Sequence, residues 1–167
     1  MRPQRFEKFL RSLLEQDGNV KEVQTAAESG HTKHPYGLAV TYRTGGRVLL
    51  VWMATGAPGD TYEGEEAIVE GDPNPAPTPM PDDLLDGGKV KLAAVDKHMA
   101  ALILGAGNQE IAAAEVYSLR EKRGAIPYGL TLDFHDTSRL YLYVVHALPQ
   151  GRDRWPSDGE YEVPAAV

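Results

Sequence analysis

The chain contains no cysteine, which excludes disulfide bridges, thiolate metal sites and thiol nucleophiles together and points to a reducing, cytoplasmic setting. No stretch approaches the roughly 20 consecutive apolar residues that a membrane-spanning helix needs. The N-terminal Met-Arg-Pro-Gln-Arg-Phe runs into an amphipathic segment, without the apolar run and small-residue cleavage site of an export signal. A basic surplus is missing as well. The 24 acidic residues outnumber 17 basic ones, a formal charge of −7, whereas a nucleic-acid partner would call for a basic face. Neither nucleic acid nor membrane is expected as a partner.

What is present fits one packed domain spanning 1–167. The chain is 42% hydrophobic and 25% charged, ordinary for a folded protein, and 167 residues are too few for two independent cores. Phe6, Phe9, Leu10, Leu13 and Leu14 recur at helical spacing and predict an amphipathic helix, which Asp17-Gly18-Asn19 ends. A strand is expected near Val20 to Ala27. Two more follow, Leu38 to Tyr42 and Val48 to Met53, with Gly45-Gly46 between them. A two-residue glycine turn there would oppose Tyr42 to Leu49, Val40 to Val51 and Leu38 to Met53.

The same pattern recurs downstream. Pro35-Tyr36-Gly37-Leu38 returns as Pro127-Tyr128-Gly129-Leu130, with Val40, Tyr42, Arg47 and Leu50 matched by Leu132, Phe134, Arg139 and Leu142. Upstream of each hairpin, Gly18-Asn19 matches Gly107-Asn108, and the stripe Phe6, Leu10, Leu13, Leu14 matches Val95, Met99, Leu102, Ile103. The expected fold is therefore α+β: two tandem helix-plus-three-strand modules, 2–55 and 91–148, in pseudo-twofold relation, their strands joined in one antiparallel sheet with both helices on one face. A closed or half-open barrel is the alternative.

The connection at 56–90 belongs to a stretch, Val48 to Gly88, that has no Lys or Arg but nine acidic residues. Setting these nine aside leaves 15 acidic against 17 basic residues, so the negative charge resides in the connection. Prolines at alternate positions from Pro73 to Pro81 forbid helix there and favour an extended spacer. The tail, 149–167, is polar, with at most a short edge strand around Tyr161 to Val163.

Candidate chemistry is sparse. Gly105-Ala106-Gly107-Asn108 follows a helix instead of opening one, so it reads as a helix C-cap and not a dinucleotide loop. Thr55-Gly56-Ala57-Pro58-Gly59 lacks a phosphate-binding lysine, and no serine stands in a nucleophile elbow. His31 and His34 have a spacing compatible with a metal, but no third ligand is fixed and Lys33 opposes a cation; no metal or cofactor is expected. His98 reads as a packing residue, and Tyr36 and Tyr128 as structural. Asp133 and His135, two apart on a strand, would point the same way and could pair for acid–base work, with His146, Thr131 and Arg43 nearby.

With the register above, Leu38, Val40, Tyr42, Leu49, Val51 and Met53 pack under the helices, together with Leu130, Leu132, Phe134, Tyr141, Tyr143 and Val145. The opposite face would then carry Arg43, Val48, Leu50, Trp52, Leu140, Leu142 and Val144. Such an apolar surplus calls for a cover. The reading that follows is a non-enzymatic protein-binding or adaptor domain, a homodimer or bound to another protein through that face. A small-molecule sensor, or a metal-independent acid–base enzyme with a pocket between the modules, is the alternative. Coverage by the chain's own connection and tail is the blander one.

Overall fold

The structure, a computed structural model, describes residues 1–72, 75–156 and 163–167. Helix α1 (Pro3–Gln16) opens with a proline, whose missing N–H costs nothing in a first turn, and buries Phe6, Leu10 and Leu14 along the expected stripe. Strands β1 (Val20–Thr25), β2 (Gly37–Tyr42) and β3 (Arg47–Thr55) follow. Helix α2 (Leu92–Gly105), β4 (Ile111–Val116), β5 (Gly129–Phe134) and β6 (Arg139–Leu148) complete the regular structure, with short 3₁₀ turns at Asp86–Gly88 and Tyr117–Leu119. The six strands form one antiparallel sheet in the order β1-β2-β3-β6-β5-β4, open at both edges and not closed into a barrel. With two helices beside it, the fold is α+β.

Both hairpins turn through three residues instead of two. Tyr42 N–H donates to the Gly46 carbonyl (2.9 Å) and Phe134 N–H to the Ser138 carbonyl (3.0 Å); the last loop residue is left-handed in each, Gly45 at φ +84° and Thr137 at φ +66°. This is the type I turn plus bulge that three-residue loops favour. Leu38 therefore faces Leu50 and Val40 faces Val48, while Leu130 faces Leu142 and Leu132 faces Leu140.

The register expected from a Gly-Gly turn is wrong by three residues. Because three is odd, every β3 and β6 side chain changes face. Val48, Leu50, Trp52, Leu140, Leu142 and Val144, expected on an open surface, are instead core residues beneath the helices, none more than 2% exposed. Phe6 meets the Trp52 ring edge-on at 5.3 Å, and Trp52 Nε1 donates to the Pro3 carbonyl. Of the expected surface only Arg43, in the first hairpin loop, is exposed.

Gly37 and Gly129 explain the repeated Pro-Tyr-Gly-Leu. A Cβ at Gly37 would lie 2.6 Å from the Leu50 carbonyl oxygen, and one at Gly129 2.3 Å from that of Leu142. Neither approach leaves room for a side chain.

The acidic connection is clasped to the body at its beginning, not a free spacer. Arg2 binds Asp60 at 2.8 Å, and Arg5 reaches both Glu66 (2.7 Å) and Glu110 (2.5 Å). Further on, Leu84 is buried in the core and Lys91 holds Asp86 at 2.9 Å. The described prolines, 75 to 81, lie in no helix. The tail is also anchored, since Val90 and Val167 exchange two main-chain hydrogen bonds (2.5 and 3.0 Å). Of the edge strand expected at 161–163, residues 161 and 162 lie outside the described residues, and Val163 is in no strand.

Candidate functional site

The three residues expected as acid–base candidates lie apart. Asp133, on β5, is hydrogen-bonded to the Arg139 guanidinium opposite it. His135 falls beyond the end of β5, in the three-residue loop, so strand alternation does not align it with Asp133; its ring packs against Gly71. His146 belongs to the far end of β6, seven residues from Arg139, beside the β-bulge at Leu49. No acid–base pair is assembled from them.

His146 instead joins a cover over one end of the sheet face away from the helices. Trp155 turns back onto this face and forms a second apolar cluster with Ala26, Ala39, Leu49, Val51 and Leu148. Its indole N–H donates to Ser29 Oγ (3.0 Å), and the Arg47 guanidinium stacks 4.9 Å from its ring centre. His31 and His34 stack at 5.1 Å, with His146 edge-on to His31 at 5.8 Å. Among the described residues no three His, Asp or Glu side chains are grouped to hold a metal ion.

The other end of the same face is open. Tyr141 and Tyr143 project from β6 with ring centres 6.3 Å apart, and Tyr117 extends the row 6.2 Å from Tyr143. Met53, directly across from Tyr141 on β3, is 52% exposed. Tyr117 is fixed by a hydrogen bond to Thr131 Oγ1 (2.8 Å), by the Arg120 guanidinium 3.5 Å above its ring, and by the side-chain-free Gly129 beneath it. Partial burial and the neighbouring Tyr117 raise the Tyr143 phenol above its ordinary value, so it stays a neutral donor. Two ion pairs edge the row, Glu115–Arg120 (2.5 Å) and Asp133–Arg139. Each carboxylate favours its arginine's charged form.

Sequence reasoning missed Tyr141, Tyr143 and Met53 as outward-facing residues because the Gly-Gly register put them under the helices. A usable signal was present. Gly45-Gly46 corresponds to Thr137-Ser138 in the second hairpin, and a type I′ two-residue turn would force φ above zero on both Thr and Ser. A three-residue loop asks this of one residue only, so it suits both hairpins better than a type I′ turn.

A buried polar relay was also missed. The His98 ring, expected as a packing residue, is fully buried on α2, with Nε2 3.2 Å from Asp17 Oδ2 and Nδ1 3.3 Å from the Tyr42 hydroxyl. Burial lowers the imidazole pKa against the opposing pull of Asp17, and raises that of the Tyr42 phenol. The relay ties the end of α1 to α2 and β2, with His98 and Tyr42 fully buried and Asp17 at its outer end. Asp96, likewise buried, accepts from the Ser118 N–H (2.9 Å), the Ser118 hydroxyl (2.7 Å) and the Gly129 N–H (3.2 Å), pinning the start of β5.

No protein-family model, curated protein or solved structure matches this chain. No helix among the described residues is long and apolar enough to cross a membrane.

Proposed function

We propose that the chain is a tandem duplication of a helix-plus-three-strand module, 2–55 and 91–148, and that it serves as a non-enzymatic protein-binding domain of the cytoplasm, self-associating through the open sheet face. The duplication is supported by a strand order that reads alike from either edge and by hairpin registers that superpose at a constant offset of 92 residues. Val51 pairs across the sheet centre with Tyr143, its own counterpart at that offset, as a pseudo-twofold axis through the centre of the sheet would require. The cysteine-free composition favours the cytoplasm.

The observation that carries the binding role is the partly exposed pair Tyr141 and Tyr143 with the exposed Met53, backed by the buried Tyr117 ring, on a face whose other end the tail covers. Tyrosine and methionine are enriched in contact surfaces, where a rigid apolar ring with a polar tip gains area at little entropic cost. A second copy is the fitting occupant. Each flanking ion pair carries both charges, so a self-complementary twofold contact can set the arginine of one copy against the carboxylate of the other. The aligned Arg139 and Arg120 guanidiniums keep N–H donors to spare for such crossing bonds.

Sedimentation velocity across micromolar concentrations tests this. The wild-type chain is expected to sediment as a dimer, and Tyr141→Glu as a monomer with an unchanged melting temperature. A wild-type monomer throughout, or a variant that still dimerises, overturns the reading.

A further inference from the structure

At the Arg47 and Leu148 end of the central strands lies a second feature, independent of the tyrosine row. A cavity of about 570 Å³ opens between the end of β6, the approach to α2 and the tail, a volume in the range of small-molecule sites. Its floor is apolar, formed by Leu148, Pro149, Pro164 and Val167. Leu148 and Val167 are 7% and 8% exposed, and the two main-chain bonds between Val90 and Val167 hold the tail in place, so the floor is preformed.

The rim is cationic. Lys89, Arg152 and Arg154 all border the cavity and are exposed. In a chain of net charge −7, where Arg2, Arg5, Arg11, Arg120 and Arg139 are each held by a carboxylate, none of these three is in an ion pair among the described residues. Among the described residues no acidic side chain lines the cavity, and the main-chain carboxylate of Val167 already accepts from the Val90 N–H (2.5 Å). An apolar floor beneath three cations that no side-chain carboxylate holds among the described residues is complementary to one kind of molecule. A hydrocarbon body gains by leaving water, and its anionic head gains charge-assisted hydrogen bonds from guanidinium groups.

We propose that this cavity binds a small apolar carboxylate, its chain on the Leu148 and Val167 floor and its head among Lys89, Arg152 and Arg154. Arg47, stacked on Trp155 and hydrogen-bonded to the Asp153 carbonyl, holds the segment that carries Arg152 and Arg154 and serves as a positioning residue.

The test is a titration with decanoate followed by backbone amide NMR shifts, with acetate and octyl glucoside as the head-only and chain-only arms. Decanoate is expected to saturate a single site, shifting the amides of Lys89, Leu148 and Val167, and to bind at least tenfold more tightly than either arm. The double variant Arg152→Glu/Arg154→Glu is expected to lose at least tenfold in affinity while keeping the wild-type melting temperature. Equal binding of octyl glucoside, equal binding of acetate, unchanged decanoate affinity in the double variant, or shifts centred on Tyr141 and Tyr143 would each overturn the proposal. The single variant Arg154→Gln, which keeps a long polar side chain, is expected to show an intermediate loss should the double variant fold poorly; full retention of affinity counts against the site. Failure here leaves the dimer reading untouched, since sedimentation of the unliganded chain decides that one.

Discussion

The hairpins β2–β3 and β5–β6 share one loop geometry and one register, yet their outer sides differ. On the first, Ala39, Leu49 and Val51 lie beneath Trp155 and are almost fully covered. On the second, the matching positions are Thr131, Tyr141 and Tyr143, and both tyrosines remain partly exposed. Their helix sides do not differ in this way, since Leu38, Val40, Val48 and Leu50 are as completely buried as Leu130, Leu132, Leu140 and Leu142. The shared side is what makes the sheet fold, and the diverged side is where one half is closed by the chain's own tail and the other is left partly open, the surface proposed for self-association.

The comparison breaks hardest on its shared side. Trp52→Ala removes a buried ring from between α1 and the sheet and should cost about 3–5 kcal/mol, read as the loss in chemical-denaturation stability. A cost as small as that of an exposed tyrosine would put the core elsewhere. Next in size, Gly129→Ala and Gly37→Ala should each cost about 1–3 kcal/mol, because in both a methyl group collides with the carbonyl of the neighbouring strand. Equal costs sharpen the equivalence of the two hairpins, whereas tolerance at one of them breaks it. On the covered outer side, Trp155→Ala should cost about 1–2 kcal/mol by loss of packing and of the Ser29 bond. Amide exchange at Leu49 and Val51 should quicken while that at Leu142 stays slow.

Acid gives a smaller, graded effect. The His98 pKa is depressed in the fold, so the unfolded chain takes up the proton more readily. The stabilisation is complete above the unfolded value of about 6.5 and is lost as pH falls through the folded one. Carboxylates whose pKa the fold lowers, such as Glu66 and Asp60, respond only below the ordinary carboxylate range. Thermal melts between pH 7.5 and pH 5 should therefore fall for the wild type and flatten in His98→Gln. An identical slope in the two proteins would remove His98 from the acid response.

Much of this architecture is legible in the residues themselves. The stripes Phe6–Leu14 and Val95–Ile103 give both helices, and Pro-Tyr-Gly-Leu marks the start of each hairpin. Periodicity of two gives a strand but not its register. Register is set by the turn, and two adjacent glycines fit a two-residue loop as well as a three-residue one whose last residue alone is left-handed. That single ambiguity turned Tyr141, Tyr143 and Met53 inward and Trp52 and Leu142 outward. Asp133 and His135 misled for a related reason, because the strand that would have aligned them stops at Phe134. The clasp of Arg2 and Arg5 on Asp60 and Glu66, and the return of Trp155 onto β3, join residues about 60 to 105 apart in the chain, which no local pattern encodes.

Self-association through the tyrosine row is tested most directly with a single thiol, since the chain has no cysteine of its own. Met53→Cys places that thiol opposite Tyr141 on the open face, and Ser12→Cys places a control on exposed α1. Under mild oxidation at micromolar concentration, Met53→Cys is expected to convert to a covalent dimer and Ser12→Cys to remain monomeric. Equal yields from the two variants, or a monomeric Met53→Cys chain beside an efficiently cross-linked Ser12→Cys chain, would contradict the account.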